Sequence, residues 1–190
     1  MQCGRSDQLV DSSGAHCLCC ATSEATRGHN AVVREVHQLA QRVDASAEME
    51  PVGLIPYRPL LRPADVLTKA TLDHVRNALD VGITSPDCLT AGDDCCEVVL
   101  EEKKAHYAPH MHELESHGIV YKPVVWSAYG RPHSDAIVLI GSICRAIARR
   151  RGLQDADSIE RRTMQNIATE IWRRNACMVQ ACRISKGDDW

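Results

Sequence analysis

The chain has 190 residues, is 44% hydrophobic and 25% charged, and carries a net charge of -3, which places it among globular proteins of one domain, or one plus an appendage. Disorder, collagen and coiled coil are excluded for the whole chain. No apolar run approaches the roughly 18 residues of a membrane helix, and the opening MQCGRSDQLVDSSG lacks the apolar stretch of a secretory signal, so a chain that is neither exported nor membrane-borne is expected.

Residues 1 to 28 are rich in Ser, Thr, Gly and Cys and predict an irregular lead segment. From Asn30 the pattern changes: Val32, Val36, Leu39, Ala40 and Val43 fall at helical spacing, with Asn30 placed to cap the helix. Pro51, Gly53, Pro56, Pro59 and Pro63 then exclude helix, so Val52 to Tyr57 and Asp65 to Leu67 are predicted to be strands or extended segments. A third strand spans Ala78 to Thr84 and ends in the turn signal Ser85-Pro86-Asp87. A helix follows over Cys95 to His117, bent or split by Pro109 and stopped by Gly118. Ile119 to Ala128 reads as a fourth, buried strand centred on Val124-Val125-Trp126. Two helices close the chain, Ser134 to Arg151 with Ser134 as cap and Asp157 to Cys182, with Gly152 between them. The order α-β-β-β-α-β-α-α predicts a meander followed by a crossover, hence a mixed sheet with helices on both faces.

Candidate chemistry begins with the acids. Asp65 opens the second strand, and Asp80 lies inside the third between apolar residues, where a lone carboxylate requires a partner. That partner is either a cation such as Arg62 or a divalent metal, since two carboxylates from adjacent strands can hold one Mg²⁺ whose other positions keep water and a phosphate. In Glu101-Glu102-Lys103-Lys104, Lys103 shares a helix face with Tyr107. It either belongs to a solvated face or leans over the sheet towards Asp80, where an ammonium stabilises charge developing on a phosphate.

Glu50-Pro51, Arg62-Pro63-Ala64-Asp65-Val66, Leu79-Asp80-Val81, Lys103 with Tyr107 four later, and Val124-Val125 followed by Gly130 resemble the restriction-enzyme-like endonuclease domain of non-LTR retrotransposons. Its usual run is R/K-P-D, then D-V with an apolar flank, then K-x-x-K-Y. The domain belongs to the PD-(D/E)XK superfamily, whose α-β-β-β-α-β core matches the predicted order over about Asn30 to Arg151. The resemblance implies an α/β fold with a restriction-endonuclease-like core and mixed sheet plus two C-terminal helices. It divides the chain into a lead segment (1–28), a nuclease-like domain (29–152) and a C-terminal helix and tail (153–190). It further implies Asp65 and Asp80 as metal-binding acids, Lys103 as a catalytic lysine displaced from strand to helix, and Glu50 (or Glu48) as the first-helix acid. Mg²⁺ or Mn²⁺ would be the cofactor, DNA the partner and substrate, and the nucleus the location.

The sequence departs from that pattern at three places: Ala64 is inserted before Asp65, as in an R-P-A-D variant of related elements, Gly82 stands where the strand lysine belongs, and His106 replaces the second lysine of K-x-x-K-Y. These departures motivate a second reading, a nuclease-fold remnant that is inactive and binds nucleic acid. A third reading is a small zinc-binding interaction module. Elements of the family carry a Cys-Cys-His-Cys knuckle before the nuclease domain; here Cys17, Cys20 and His29 supply three ligands for Zn²⁺, but no cysteine lies between Cys20 and Cys88 to complete the knuckle. The ten cysteines, without export signal or regular spacing, otherwise read as reduced thiols, with Cys95-Cys96 packing a helix. His106, His110 and Glu113 form a stripe interrupted by Pro109 and read as a solvated face. Arginines concentrate in the last third, as Arg149-Arg150-Arg151, Arg161-Arg162 and Arg173-Arg174; they contact phosphates or pair with helix-surface acids such as Glu160 and Glu170.

Overall fold

Arg76–Thr84 (β3) and Ile119–Ser127 (β4) are nine-residue strands whose successive side chains face opposite sides of a sheet. Leu79, Val81, Val124 and Trp126 enter the main core, whereas Ala78, Tyr121 and Val125 enter smaller clusters on the other face. The computed structural model describes residues 15–20, 23–88 and 90–184. In chain order the remaining elements are α1 (Ala15–Cys19), α2 (Ser23–Gln41), β1 (Glu48–Met49), β2 (Val66–Thr68), α3 (Cys95–Tyr107), a 3₁₀ turn (Ala108–His110), α4 (Met111–Ser116), α5 (Ser134–Arg151) and α6 (Ala156–Ile184). The chain is thus a mixed α/β protein.

The four strands lie in the order β1-β2-β3-β4. The first two pairings are antiparallel and β3 pairs with β4 in parallel, with Asp80 opposite Pro123. Pro123 is tolerated because β4 is an edge strand, where a missing N–H is compatible with the ladder. Residues of α2, α5 and α6 pack on the Leu79 face, and residues of α3 and α4 on the Tyr121 and Val125 side. Ile167 and Ile171 of α6 are part of the main core, so the last helix shares its hydrophobic interior with the segments before it. No helix of the described residues is long and apolar enough to cross a membrane.

Several boundaries differ from the sequence expectations for physical reasons. The first strand is Glu48–Met49, not Val52 to Tyr57. Glu50 and Gly53 both take positive φ (47° and 72°), which together with Pro51, Pro56 and Pro59 turns the chain into an irregular loop. The predicted irregular stretch up to residue 28 contains α1 and the start of α2, while residues 1–14 and 21–22 of that prediction lie outside the described residues. Asn30 is therefore mid-helix and not a cap. Gly28 fits inside α2 because a Cβ there would come within 3.3 Å of the Cβ of Arg174, so the missing side chain lets α2 and α6 approach. Pro109 splits the predicted helix into α3, the 3₁₀ turn and α4. At α5 the cap is His133, whose Nδ1 accepts from the Asp135 N–H at 3.1 Å, and not Ser134.

The turn between α2 and β1 is held by a buried carboxylate. Asp44 accepts from the Ser46 N–H and hydroxyl, the Thr68 hydroxyl and the Lys69 N–H at 2.6 to 3.1 Å. Burial acts to raise its pKa, but these bonds prevail and hold it below the usual 3.8. Its stabilisation is therefore present above that value and is lost as pH falls through the folded-state pKa. Asp44→Ala, which strands four donors, is expected to lower the unfolding free energy by about 2–3 kcal/mol in urea titrations at neutral pH.

Candidate active site

Three acids follow one another where β1, β2 and β3 meet. The Glu50 N–H donates to the Asp65 carbonyl and the Asp65 N–H to the Leu79 carbonyl, both at 2.8 Å. Continuing the pair Met49 with Val66 by one residue sets Glu50 opposite Asp65, whereas Asp65 leaves the β2–β3 register and bonds Leu79 through its N–H and Val81 through its carboxylate, the residues on either side of Asp80. Directly opposed residues of an antiparallel pair share a face, with Cβ atoms about 4.5–5.5 Å apart.

Asp80 is the best-connected of the three. Its Oδ1 accepts from Lys103 Nζ at 2.6 Å and its Oδ2 from the Tyr121 hydroxyl at 2.5 Å. Both charged side chains are largely buried, Asp80 at 13% and Lys103 at 23% exposure, so the ion pair is shielded from solvent screening. Tyr121 reaches Asp80 because it lies two residues before Pro123, the register partner of Asp80, and therefore points to the same face. Burial, then the neighbouring Asp80 carboxylate, pushes the Tyr121 phenol well above its usual pKa. Tyr107 packs on Tyr121 with ring centroids 4.9 Å apart and donates to the Arg62 carbonyl at 2.9 Å, which ties α3 to the segment leading into β2.

Gly82 explains how a helix lysine reaches this strand. A Cβ built at Gly82 would stand 2.9 Å from the Lys103 Cε, 3.4 Å from Val125 Cγ2 and 3.5 Å from Val99 Cγ1. The lysine stem therefore runs through the space that any other residue at position 82 would fill.

Asp65 is held along the free edge of β3, because β2 begins only at Val66. Its Oδ2 accepts from the Val81 N–H at 2.7 Å and faces His29 Nε2 at 3.3 Å. The same ring nitrogen lies 3.2 Å from the Val81 carbonyl, and His29 Nδ1 lies 3.2 Å from Asn30 Oδ1. The bond to Asp65 raises the His29 pKa above the usual 6.5 against the opposing effect of burial. A raised value means that the His29–Asp65 contribution to stability is complete below that unfolded-state value and fades as pH rises through the folded one. In the metal-free protein, the gap in urea midpoint between wild type and His29→Asn is thus expected to be wider at about pH 6 than at about pH 8.5.

Glu50 is held differently. It follows β1 and does not lie on the first helix, as the resemblance implied, because its positive φ turns the chain out of the strand. Its carboxylate pairs with Arg62 at 2.9 Å, with both side chains more than half exposed. The structure thus brings Asp65, Asp80 and Lys103 to one region and leaves Glu50 at its solvated margin.

No family model, curated protein or solved structure matches this chain.

The proposed zinc ligands are not assembled. Among the described residues, one group of three acid, histidine or cysteine side chains has its ligand atoms within 4.8 Å of one another, and it consists of Asp94, Cys95 and Cys96. Cys17 is instead buried against Cys182, and His29 is turned to Asp65 and Val81. The Asp94 group is accounted for without a metal. Asp94 caps α3 by accepting from the Cys96 and Glu97 N–H groups and pairs with Arg131 at 2.5 Å, which holds its carboxyl at about 2. Burial, then the Cys95 neighbour, pushes the Cys96 thiol up to about 12, so the sulfur stays protonated. In the helix stripe, His110 accepts or donates through Nδ1 to the Tyr57 hydroxyl at 2.7 Å and is buried.

Tyr121 and the role of Gly82 were not singled out by sequence reasoning. Tyr121 depends on a parallel register that no local pattern encodes. Gly82 carried a signal, a glycine inside an apolar strand, which commonly marks a close approach by another group.

Proposed function

We propose that the chain is a metal-dependent endonuclease domain acting on DNA, related to the restriction-enzyme-like nucleases of non-LTR retrotransposons. The observation that carries this reading is the salt bridge from Lys103 on α3, across Gly82, to Asp80 on β3, with Asp65 bonded to Leu79 and Val81 on either side of Asp80. An acid on β3 and another at the entry to β2, with a single ammonium beside the first, is an arrangement suited to a phosphodiester. The mixed sheet and element order agree with what the resemblance implies.

The donor set suits a hard divalent cation. Asp65 and the Val81 carbonyl offer oxygens, and His29 adds a nitrogen 3.2–3.3 Å from both; the ligand atoms of Asp65, Asp80 and His29 do not all lie within 4.8 Å of one another, so Asp80 would join such an ion only by turning from Lys103 and Tyr121. Neighbouring ligands on an ion with bonds of about 2.1 Å stand about 3 Å apart. Such an ion supplies an acidified water and neutralises phosphate charge. The chain's own residues do the rest. Asp65 and Asp80 present negative charge from a rigid sheet, and Tyr121 fixes the Asp80 carboxylate by its hydrogen bond. Lys103 is placed to stabilise the charge that develops on the phosphate or to orient the attacking water.

A second reading is a nuclease-fold remnant that keeps the pair as structure. It is favoured by the fact that both oxygens of Asp80 already have protein donors. The two readings part on metal binding and strand scission. Under the nuclease reading, Mn²⁺ raises the melting temperature of the wild type, Asp65→Asn largely removes that rise, and the purified wild type nicks supercoiled plasmid with Mg²⁺ or Mn²⁺ but not in EDTA. Absence of both the metal-induced shift and nicking would leave the remnant.

A further inference from the structure

Six arginines and three acids fall between Arg145 and Arg162, in a chain whose net charge is -3. The structure separates two groups among the arginines of this region. Arg145 pairs with Glu160 at 3.9 Å, and Arg173 and Arg174 both pair with Glu170. Arg149, Arg150 and Arg151 at the end of α5 have no carboxylate partner among the described residues, nor do Arg161 and Arg162 on α6. All five are exposed.

Arg149 and Arg150 line an open groove of about 630 Å³ with Val43, Leu72, His74 and Ala146. Arg150 is anchored there, since its guanidinium donates to the Val43 carbonyl just beyond α2. A guanidinium carries five N–H donors, so most remain available. The acids closest in sequence to the groove residues are already occupied: Asp44 by Ser46, Thr68 and Lys69, and Asp73 by the Thr71 hydroxyl and Val75 N–H. The groove therefore joins two arginines, one of them anchored, and a histidine to an apolar floor, with no ion-paired carboxylate on either arginine among the described residues.

We propose that this groove binds the sugar-phosphate backbone of a nucleic acid duplex. The choice of polyanion rests on the nuclease reading. Arg149 and Arg150 are the phosphate contacts, with Arg151, Arg161 and Arg162 extending the positive field. The groove is built by α5, the segment after α2 and the β2–β3 connection, with α5 on the face of the sheet opposite Lys103 and Asp80. It therefore holds a stretch of backbone other than the one beside the acids and contributes affinity rather than chemistry.

The test uses the full chain in EDTA, with fluorescence anisotropy of a labelled duplex of about 30 base pairs between about 50 and about 300 mM KCl. Arg149→Gln/Arg150→Gln is expected to weaken binding about tenfold or more and to reduce the slope of log K against log salt by about two, one per lost phosphate contact. Arg149→Lys/Arg150→Lys should keep most of the slope, and Arg173→Gln should change little. If the double variant melts early, Arg149→Gln alone leaves the Arg150 bond to Val43 in place and should lower the slope by about one. The proposal fails if the wild type does not bind the duplex, or if folded variants bind with unchanged affinity and slope. It fails equally if the loss is confined to vesicles of phosphatidylserine and phosphatidylcholine, which would assign the groove to anionic membranes. Duplex binding through these arginines without plasmid nicking in Mg²⁺ removes the nuclease reading and keeps the groove; nicking with unaltered binding by the variants does the reverse.

Discussion

Lys103→Met is expected to lower plasmid nicking by about 10² to 10³ fold, the usual loss when one preorganised electrostatic donor is removed from a site. Methionine keeps the length and apolar stem of lysine, so the packing beside Gly82 and Val99 is preserved while the ammonium is lost. Asp80 then retains Tyr121 alone as a donor. Because the pair is largely buried, some stability is lost as well, and urea titration measures that part separately. The decisive comparison is nicking by fully folded protein at a temperature well below both melting transitions. Under the remnant reading, Lys103→Met changes the urea midpoint only, and any nuclease activity in the preparation is identical in wild type and variant.

Gly82→Val is the complementary change, leaving every charged residue in place. With a Cβ 2.9 Å from the Lys103 Cε and 3.5 Å from Val99 Cγ1, the valine drives the lysine stem off the strand and separates Nζ from Asp80. Nicking should fall to about the level of Lys103→Met, about 10² fold or more, with about 1–3 kcal/mol of overpacking destabilisation. The double variant Gly82→Val/Lys103→Met should lose no more activity than the worse single variant, since both remove the same ammonium. Losses that multiply in the double variant would show that Gly82 acts through something other than Lys103.

The boundaries of α5, Ser134 to Arg151, were readable because an apolar face with helical period runs uninterrupted to a glycine, and Gly152 ends it with a φ of 66°. β3 and β4 were readable because they are long and apolar on both faces, as a strand covered by helices on either side must be. β1 was not, since Glu48–Met49 is too short to carry a period and owes its pairing to β2. The Val52 to Tyr57 stretch looked like a strand by composition, but its prolines and the positive φ values of Glu50 and Gly53 break any ladder. The start of α2 was set too late because residues 23–29 lack an apolar stripe of their own; contact with α6, permitted by Gly28, holds them helical.

For the site, Asp80 stands out by residue type, because a carboxylate within an apolar strand cannot stay unpartnered, whereas Asp65 and Lys103 join it through the family resemblance. For His29 the short C-x-x-C upstream offers zinc as one partner, whereas the fold turns the ring to Asp65 and Val81. Glu50 was matched by motif, but its local backbone directs it to Arg62.

The sequence by itself determined the inventory: an α/β chain, the long helices and strands, and the acids and lysine that need partners. These follow from periodicity and from the energy of burying charge, which are local properties. Only the tertiary structure decided which cation meets which carboxylate, that Tyr121 caps Asp80, that Gly82 clears a path for Lys103, and which arginines lack acids. Those outcomes depend on strand register and helix placement between segments up to dozens of residues apart, where one step of register reverses the face a side chain occupies.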